Sequence, residues 1–177
     1  MRAQPTYHVR WRSPLGVTVG LFLFWGALNA FLAIFVPASL HSGGAGATGA
    51  LVLTPEADAA LLGRSLADIA RDDARLNAYL VSFMDTMCAQ MMAYAIVHLG
   101  LTWFALRRGQ TWALWFAGAG ALATFVYFIP ILFEFARFDA PTDGFVFFTA
   151  IPIALIVAAT VLGWYGLRRE RLAVAAA

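Results

Sequence analysis

Cysteine and charge are scarce in this sequence, and each shortage excludes a class of protein. One cysteine, Cys88, occurs among the 177 residues, which excludes an internal disulfide, a CxxC redox pair and a thiolate zinc cluster within one chain. Lysine is absent, so arginine supplies all twelve basic side chains, a bias that favours a GC-rich bacterial source. We find no phosphate loop, HExxH, GxSxG, dinucleotide fingerprint or zinc-deaminase pattern. The sequence therefore predicts a protein that is not an enzyme, binds no nucleic acid and carries no metal or cofactor.

Apolar residues, in contrast, are in excess. Hydrophobic residues make up 62% of the chain and charged residues 12%, and the mean hydropathy is +0.75. A soluble domain has roughly 45–50% apolar and about 25% charged residues. The composition therefore predicts a protein dissolved in lipid. Its length leaves room for four spans and one modest loop.

Four apolar stretches are long enough to cross a membrane as helices, and we expect them to form one all-α integral membrane domain over residues 1–177. They cover about residues 15–36, 77–106, 111–135 and 144–167. The first stretch follows a basic N-terminus, as in a signal peptide. Its length of about 22 residues exceeds the roughly 7–15 of a signal sequence, and no clear cleavage site follows directly. We therefore interpret it as an uncleaved first helix.

The segment 37–76, between the first two spans, is predicted to be a loop that contains an amphipathic helix. Its glycine-rich part, 42–49, is typical of a flexible connection. Thr54-Pro55-Glu56 offers an N-cap and a proline at the first helical position, and Ser65-Leu66-Ala67-Asp68 approximates a capping box. Further apolar side chains recur on one face (Leu66, Ile69, Leu76 and Leu80). We expect this helix to lie at the membrane surface and to lead into the second span.

The charged residues are distributed unevenly between the two sides of a four-span arrangement. One side holds the N-terminus, the turn at 107–110 and the C-terminus, with Glu170 as its only acid. Its arginines are Arg2, Arg10, Arg12, Arg107, Arg108, Arg168, Arg169 and Arg171. The other side has four arginines and seven acids. Because basic residues favour the cytoplasm, we expect a multi-pass protein of the inner (plasma) membrane, oriented N-in/C-in with loop 37–76 extracytoplasmic.

Two acids are predicted to lie inside the spans at a similar depth. A carboxylate in hydrocarbon costs roughly 2.5–3.5 kcal/mol on translocon scales, so Asp85 in the second span should face protein or water. Arg75 and Arg137 are its candidate partners. Glu134 in the third span is a candidate for the same site, with an interfacial position as the alternative. Asp85 itself is either a proton relay or ligand contact, or a polar residue near the outer interface that bonds to a neighbouring helix or to the loop.

Sulfur side chains and one histidine share a face of the second span. At 100° per residue, an arc of roughly 100° holds Met84, Met87, Cys88, Met91 and His98. Soft sulfur and imidazole ligands suit Cu(I), but about 10 Å along the axis separates Met91 from His98, so one metal cannot bind both ends. A haem between two histidines needs a second intramembrane histidine, and His8 and His41 lie outside the predicted spans. The stripe is interpreted as a packing face or as the wall of an apolar ligand site.

Helix contacts are expected where small residues recur, since close packing largely replaces the hydrophobic effect between spans. The candidate positions are Gly16 with Gly20 in the first span, and Ala113, Ala117 and Ala121, with Gly118 and Gly120 nearby, in the third. In the fourth span they are Ala154 with Ala158, and Ala159 with Gly163. Gln90, near mid-membrane, is expected to bond across helices to Tyr127 or Thr124. Pro130 and Pro152 are candidate kinks.

Three functions remain open. The first is a non-enzymatic accessory or structural subunit that packs against another membrane protein or a second copy, surrounded by membrane lipids. The second is a binder or carrier of a small hydrophobic molecule, a lipid or quinone, in an outward-facing cavity. Its candidate ligand-binding residues are Asp85, Gln90, Glu134, Met87, Met91 and His98. The third is a proton-coupled transporter or membrane enzyme centred on Asp85.

Overall fold

The computed structural model describes residues 10–175, except for the side chains of Phe148 and residues 170–175. This part of the chain is helical and contains no strand. The predictions for Arg2 and His8 lie outside the described residues. In chain order the helices are α1 (Pro14–Gly43), α2 (Pro55–Leu62), α3 (Leu66–Asp72), α4 (Ala74–Phe104), α5 (Thr111–Val126), α6 (Phe128–Ala136) and α7 (Asp143–Ala175), with a 3₁₀ turn at Leu106–Arg108.

Four helical stretches are long and apolar enough to cross a membrane, which confirms the prediction of an all-helical chain with four candidate spans. They are Pro14–Gly43, Ala74–Arg108, Thr111–Ala136 and Asp143–Arg169. In each, at most 22% of the most apolar window is buried inside the protein. Most of their apolar surface is therefore available to lipid, as expected for spanning helices.

Prolines act differently in the first and third of these stretches. Helix α1 continues through Pro37 to Gly43, although the sequence places the start of the loop at Pro37. The third stretch is divided into α5 and α6 at Tyr127. Pro130 explains this break, because it has no N–H for the carbonyl of Val126 and its ring crowds that carbonyl. The expectation of a kink at Pro130 thus agrees with the structure.

The chain divides into two compact units, and each long helix contributes to both. The first unit comprises the described parts of Met1–Leu28, Tyr94–Thr124 and Pro152–Ala177. The second unit comprises Asn29–Ala93 and Phe125–Ile151, and it includes α2, α3 and the loop around them.

Glycines allow close helix contacts in the first unit. A Cβ added at Gly166 of α7 would lie 2.8 Å from the backbone nitrogen of Leu15 on α1. At Gly163, it would lie 2.7 Å from Cδ1 of Leu114 on α5. Such distances leave no room for a side chain, so the glycines set how closely α7 approaches α1 and α5.

The predicted small-residue faces are only partly correct. On α5 the predicted alanines are fully buried or nearly so (Ala113, Ala117 and Ala121), which confirms that face. The predicted pair of Gly16 and Gly20 is wrong as a helix contact. Gly20 has no atom within 4 Å of its added Cβ, and Gly16 faces the preceding turn of its own chain.

In the second unit, the loop after α1 is packed against α3 along its glycine-rich part. A Cβ added at Gly46 would lie 2.9 Å from Cα of Ala67. The backbone N–H of Ala45 donates to Oδ1 of Asn77 at 2.7 Å, and Gly44 adopts a left-handed φ of 73° beside it. The prediction of a flexible connection at 42–49 therefore has to be corrected for residues 44–46, where backbone contacts hold the loop.

Both predicted helix starts in the loop are confirmed. Thr54 caps α2 by accepting the N–H of Ala57 at 3.2 Å. Ser65 caps α3 by accepting the N–H of Asp68 at 3.1 Å, and its hydroxyl donates to the Asp68 carboxylate at 2.6 Å. Ser65 thus acts as an N-cap, but the Asp68 carboxylate accepts the Ser65 hydroxyl, whereas in a capping box it would accept the Ser65 backbone N–H.

The apolar face of α3 is used inside the protein. Leu66 and Ile69 are buried against Ala45, with Leu51, Leu76 and Leu80 packed around them. The helix ends at Asp73, whose carboxylate accepts the N–H of Leu76 at 3.0 Å and so caps α4. The sequence predicts one amphipathic helix that lies in the membrane surface and runs into the span. The apolar face of α3 packs against the loop and the start of α4, and Asp73 separates α3 from α4. The position of α3 at the membrane surface stays a prediction.

Candidate functional site

One face of α4 is buried, and it repeats with a period of seven residues. The buried positions are Val81, Cys88, Ala95, His98 and Thr102. Alternate steps of three and four are typical of a helix-packing seam, and the half-buried Met84 and Met91 fall in the same repeat. We call these seven residues the α4 seam. Met87, which belongs to the predicted stripe, lies outside the seam with 52% of its surface exposed. The arrangement favours packing over a ligand wall for most of the stripe.

His98 is a polar residue of the α4 seam, and its side chain is buried, with 2% exposure. Its Nδ1 lies 3.2 Å from the hydroxyl of Tyr94, which also interacts with the Trp25 side chain. The ring of Phe22 packs edge-on against the imidazole. Nε2 of His98 has no hydrogen-bond partner. The backbone of Phe22 lies close enough to the imidazole to interact with it. The imidazole is thus fixed by a small polar cluster within the first unit.

Asp85 contacts a histidine that the sequence did not identify as its partner. Its Oδ2 lies 2.9 Å from Nε2 of His41, in the last turn of α1. The two side chains are 39% and 62% exposed, respectively. The expected partners, Arg75 and Arg137, are therefore not the residues that contact Asp85. The sequence predicts a loop at His41, so it does not indicate this partner. In the structure α1 extends to Gly43, and His41 in its last turn contacts Asp85 on α4.

Glu134 has a different partner. Its carboxylate accepts two hydrogen bonds from Nη1 of Arg137, at 3.0 and 3.2 Å, and both side chains are exposed. This pair lies within one turn, at a spacing of three residues. The shared site for Asp85 and Glu134 thus gains no support, and the alternative of an interfacial Glu134 fits its exposure.

Gln90 is exposed on α4, and its amide makes no hydrogen bond within the described part of the chain. The expected bond to Tyr127 or Thr124 is absent, and Tyr127 is itself 74% exposed. Exposed small and polar residues surround Gln90 on the same side of the helix (Ser82, Thr86, Ala89 and Ala93). At 100° per residue, these five residues fall within an arc of about 100° on the side of α4 opposite the α4 seam. We call them the association face.

The loop contains a buried carboxylate that sequence reasoning missed. Asp58 is 2% exposed and accepts the N–H groups of Leu51 and Val52, at 2.6 and 3.1 Å, and that of Leu53 at 3.2 Å. Three backbone donors satisfy its charge, so the residue fixes the loop that enters α2. The only indication of this role in the sequence is that Asp58 lies four residues after the N-cap Thr54. The donors are backbone N–H groups, and the sequence does not show that the loop turns them toward Asp58.

Hydrogen bonds and nearby arginines lower the pKa values of three other loop carboxylates. The Ser65 hydroxyl and the Arg71 guanidinium lower the pKa of Asp68, and Arg71 lowers the pKa of Asp72. The N–H of Leu76 and the guanidinium of Arg64 lower the pKa of Asp73. Arg64 reaches Asp73 at 2.8 Å and Arg71 reaches Asp68 at 2.7 Å, so these pairs join the turns of the loop. All are solvent-exposed, which makes them structural contacts and poor candidates for chemistry.

The candidate residues therefore do not converge on one site. Thirteen residues separate Asp85 from His98, which is about 20 Å along α4 at 1.5 Å per residue. Among the described residues, no cluster of three or more histidine, cysteine or acidic side chains is placed to hold a metal. A groove of about 230 Å³ does occur, but it is lined by Thr111, Trp164, Leu167 and Arg168. None of these belongs to the predicted ligand set.

The fold defines the class as an all-helical chain with four helices able to span a membrane. Protein-family models, curated proteins and solved structures offer no match to the chain. Any statement of function accordingly rests on its own residues.

Proposed function

We propose that the chain is a non-enzymatic, multi-pass membrane protein that works by associating side to side with a second copy through the association face of α4. The observation that supports this is the exposure of the Gln90 amide within a candidate span. Removing an amide from water without a hydrogen bond costs roughly 2–7 kcal/mol, depending on the reference state. A partner helix in the membrane offers the amide the hydrogen bonds that lipid tails lack.

The neighbours of Gln90 suit a close helix contact. Ser82 and Thr86 are four residues apart, as are Ala89 and Ala93, which gives two small-xxx-small steps on one face. The Thr86 hydroxyl donates to the carbonyl of Ser82 at 3.1 Å, so it leaves no polar group that needs water. These four side chains are small, which allows another backbone to approach between the exposed Tyr79 and Val97 at the two ends of the face.

A second copy is the partner that the chemistry favours. A glutamine side chain both donates and accepts, so two Gln90 amides related by a two-fold axis satisfy each other. The same face on both copies then forms one closed contact. A different membrane protein with an equivalent face remains the alternative partner in the test below.

Cysteine cross-linking tests the contact in native membranes. With Cys88→Ala as the background, Ala93→Cys should give a disulfide-linked dimer under mild oxidation. Ala27 on α1 is also an exposed alanine within a candidate span, and Leu23 and Phe31 lie four residues to either side of it. Ala27→Cys is therefore the matched control and should stay monomeric. A wild-type protein that runs only as a monomer, with no cross-link at position 93, would contradict the proposal.

Bulky substitutions provide the second test. Ala93→Leu and Gln90→Leu should each lower the dimer fraction at least tenfold in native mass measurements, whereas Ala27→Leu should leave it unchanged. A different protein that co-purifies with the wild type and is lost in Ala93→Leu would also be informative. That result would support the association face as a contact and show that its partner is that protein, which would contradict a second copy.

We further propose that the protein lies in the inner membrane with both termini in the cytoplasm, as the distribution of arginine favours. Alkaline phosphatase folds to an active enzyme only outside the cytoplasm because it needs disulfides. A fusion at the C-terminus should therefore be inactive, and an insertion at Gly63, an exposed glycine between α2 and α3, should be active. The reverse pattern would overturn the orientation.

The alternative functions find less in the structure. A lipid or quinone carrier requires Asp85, Gln90 and His98 to line one cavity. Asp85 is in an exposed ion pair, Gln90 is exposed and His98 is packed in the α4 seam. A proton pathway through Asp85 would start from the His41 contact, and no further described residue extends it.

A further inference from the structure

The arginines of the first unit have no carboxylate partners among the described side chains. Acids are absent from residues 10–28, 94–124 and 152–169, and the side chain of Glu170 is outside the described set. The unit nevertheless has six described arginines, which are Arg10, Arg12, Arg107, Arg108, Arg168 and Arg169. The ion pairs that the structure shows all lie in the second unit. These six guanidinium groups are therefore available to an anionic partner from outside the described chain.

Two of these arginines are held by aromatic rings. Cζ of Arg107 lies 4.2 Å from the ring centroid of Trp103, and Cζ of Arg168 lies 5.4 Å from that of Trp164. In each pair the tryptophan precedes the arginine by one helical turn. A guanidinium that stacks on an aromatic face keeps the N–H donors at its edge available. The rings thus orient both cations before any ligand arrives.

Arg168 also lines the groove of the first unit. Of the other lining residues, Leu167 is buried, Trp164 is partly exposed, and Thr111 is the first residue of α5. The volume of about 230 Å³ is below the roughly 300–1,000 Å³ of pockets for drug-sized ligands. It suits a single headgroup. The lining combines a cation with apolar carbon, as the boundary between headgroups and acyl chains requires.

We propose that this groove binds the phosphate of an anionic phospholipid, with the Arg168 guanidinium as its main ligand. A guanidinium presents two parallel N–H donors to a phosphate, and the start of α5 adds the positive end of a helix dipole. The groove lies where one candidate span begins, at Thr111, and another ends, at Arg169. Tryptophan at that position is typical of the membrane interface, which favours a lipid over a soluble anion.

Native mass measurement of the purified full-length protein tests the site. Dioctanoyl phosphatidylglycerol should bind at least tenfold more tightly than dioctanoyl phosphatidylcholine, and the difference should shrink as ionic strength rises. Equal binding of the two lipids would overturn the proposal. Inorganic phosphate at the same concentration should not displace the lipid. If it does, the groove takes a free anion and the lipid assignment is wrong.

Variants locate the binding. Arg168→Gln should abolish the preference for phosphatidylglycerol, and Arg168→Lys should retain part of it, because lysine keeps the charge but not the paired donors. Arg137→Gln is the matched control, since Arg137 is an exposed arginine of the second unit that pairs with Glu134. Loss of the preference in Arg137→Gln, or its persistence in Arg168→Gln, would refute the site. Thermal unfolding of each variant confirms that the protein still folds.

Discussion

Nε2 of His41 and Oδ2 of Asp85 lie 2.9 Å apart, a contact that joins the last turn of α1 to α4 across 44 residues of sequence. The pair encloses the whole loop with α2 and α3. The contact therefore links α1, after which that loop begins, to α4, before which it ends.

The contribution of this pair to stability should be small. Because both side chains are substantially exposed, we expect a coupling energy of about 0.2–1 kcal/mol. A double-mutant cycle of His41→Gln and Asp85→Asn, followed by thermal unfolding, measures it. A coupling of several kcal/mol would show that the pair is more buried than the structure indicates. Zero coupling would mean that the contact does not persist.

Glycine substitutions should separate close helix contacts from open helix surface. In Gly166→Ala, the new Cβ would meet the backbone of Leu15, which cannot move as a side chain does. We expect a loss of about 1–3 kcal/mol, as for overpacked cores. Gly20→Ala is the control. Nothing lies within 4 Å of its added Cβ, so the gain in helix propensity should stabilise α1 by up to about 1 kcal/mol.

Removing the Asp58 carboxylate should loosen the entry to α2. Asp58→Ala leaves the N–H groups of Leu51, Val52 and Leu53 without their acceptor, at a cost of about 1–3 kcal/mol for each buried donor. Amide hydrogen exchange at these three residues should accelerate, while exchange in α5 stays slow. Glu56→Ala, which removes an exposed acid of the same first turn, should leave all of these rates unchanged.

Acid should open the loop. Asp68, Asp72 and Asp73 have folded-state pKa values below the unfolded value of 3.8, so the unfolded loop binds more protons as the pH falls. Their stabilisation is complete above about pH 4 and is lost as the pH falls through the lower folded-state values. Carboxyl ¹³C titration by NMR measures the three pKa values directly.

The same titration can identify the responsible cation. Arg71→Gln should raise the pKa of Asp68 and Asp72 toward 3.8 and leave that of Asp73 unchanged, because Arg64 pairs with Asp73. Arg75→Gln is the matched control, since Arg75 is exposed and has no ion pair among the described residues. A rise in all three values in both variants would indicate a general charge effect and contradict the specific pairs.

Features encoded in local sequence were predictable. Hydropathy and length identify the four spans, because each span must match the thickness of the bilayer by itself. Thr54 and Ser65 identify their helix starts, since an N-cap bonds to an N–H only two or three residues away. The break at Pro130 follows from one missing N–H.

Features that depend on distant chain segments were not predictable. His41 reaches Asp85 only because α1 continues through Pro37, and a proline alone does not tell whether a helix ends there. Asp58 looks like an ordinary first-turn acid until the loop backbone curls around it. The amphipathic pattern of α3 correctly indicates an apolar contact, but Leu66 and Ile69 cannot show whether that contact is lipid or protein.

The α4 seam and the association face lie on opposite sides of α4. Substitutions on the two faces should therefore give two different phenotypes. A scan of α4 should yield folding defects at Ala95 and His98 and assembly defects at Ala89 and Ala93, each with intact behaviour in the other assay. The two phenotypes would alternate along a single stretch of chain. If substitutions on both faces impaired folding and assembly together, folding and assembly would be one event.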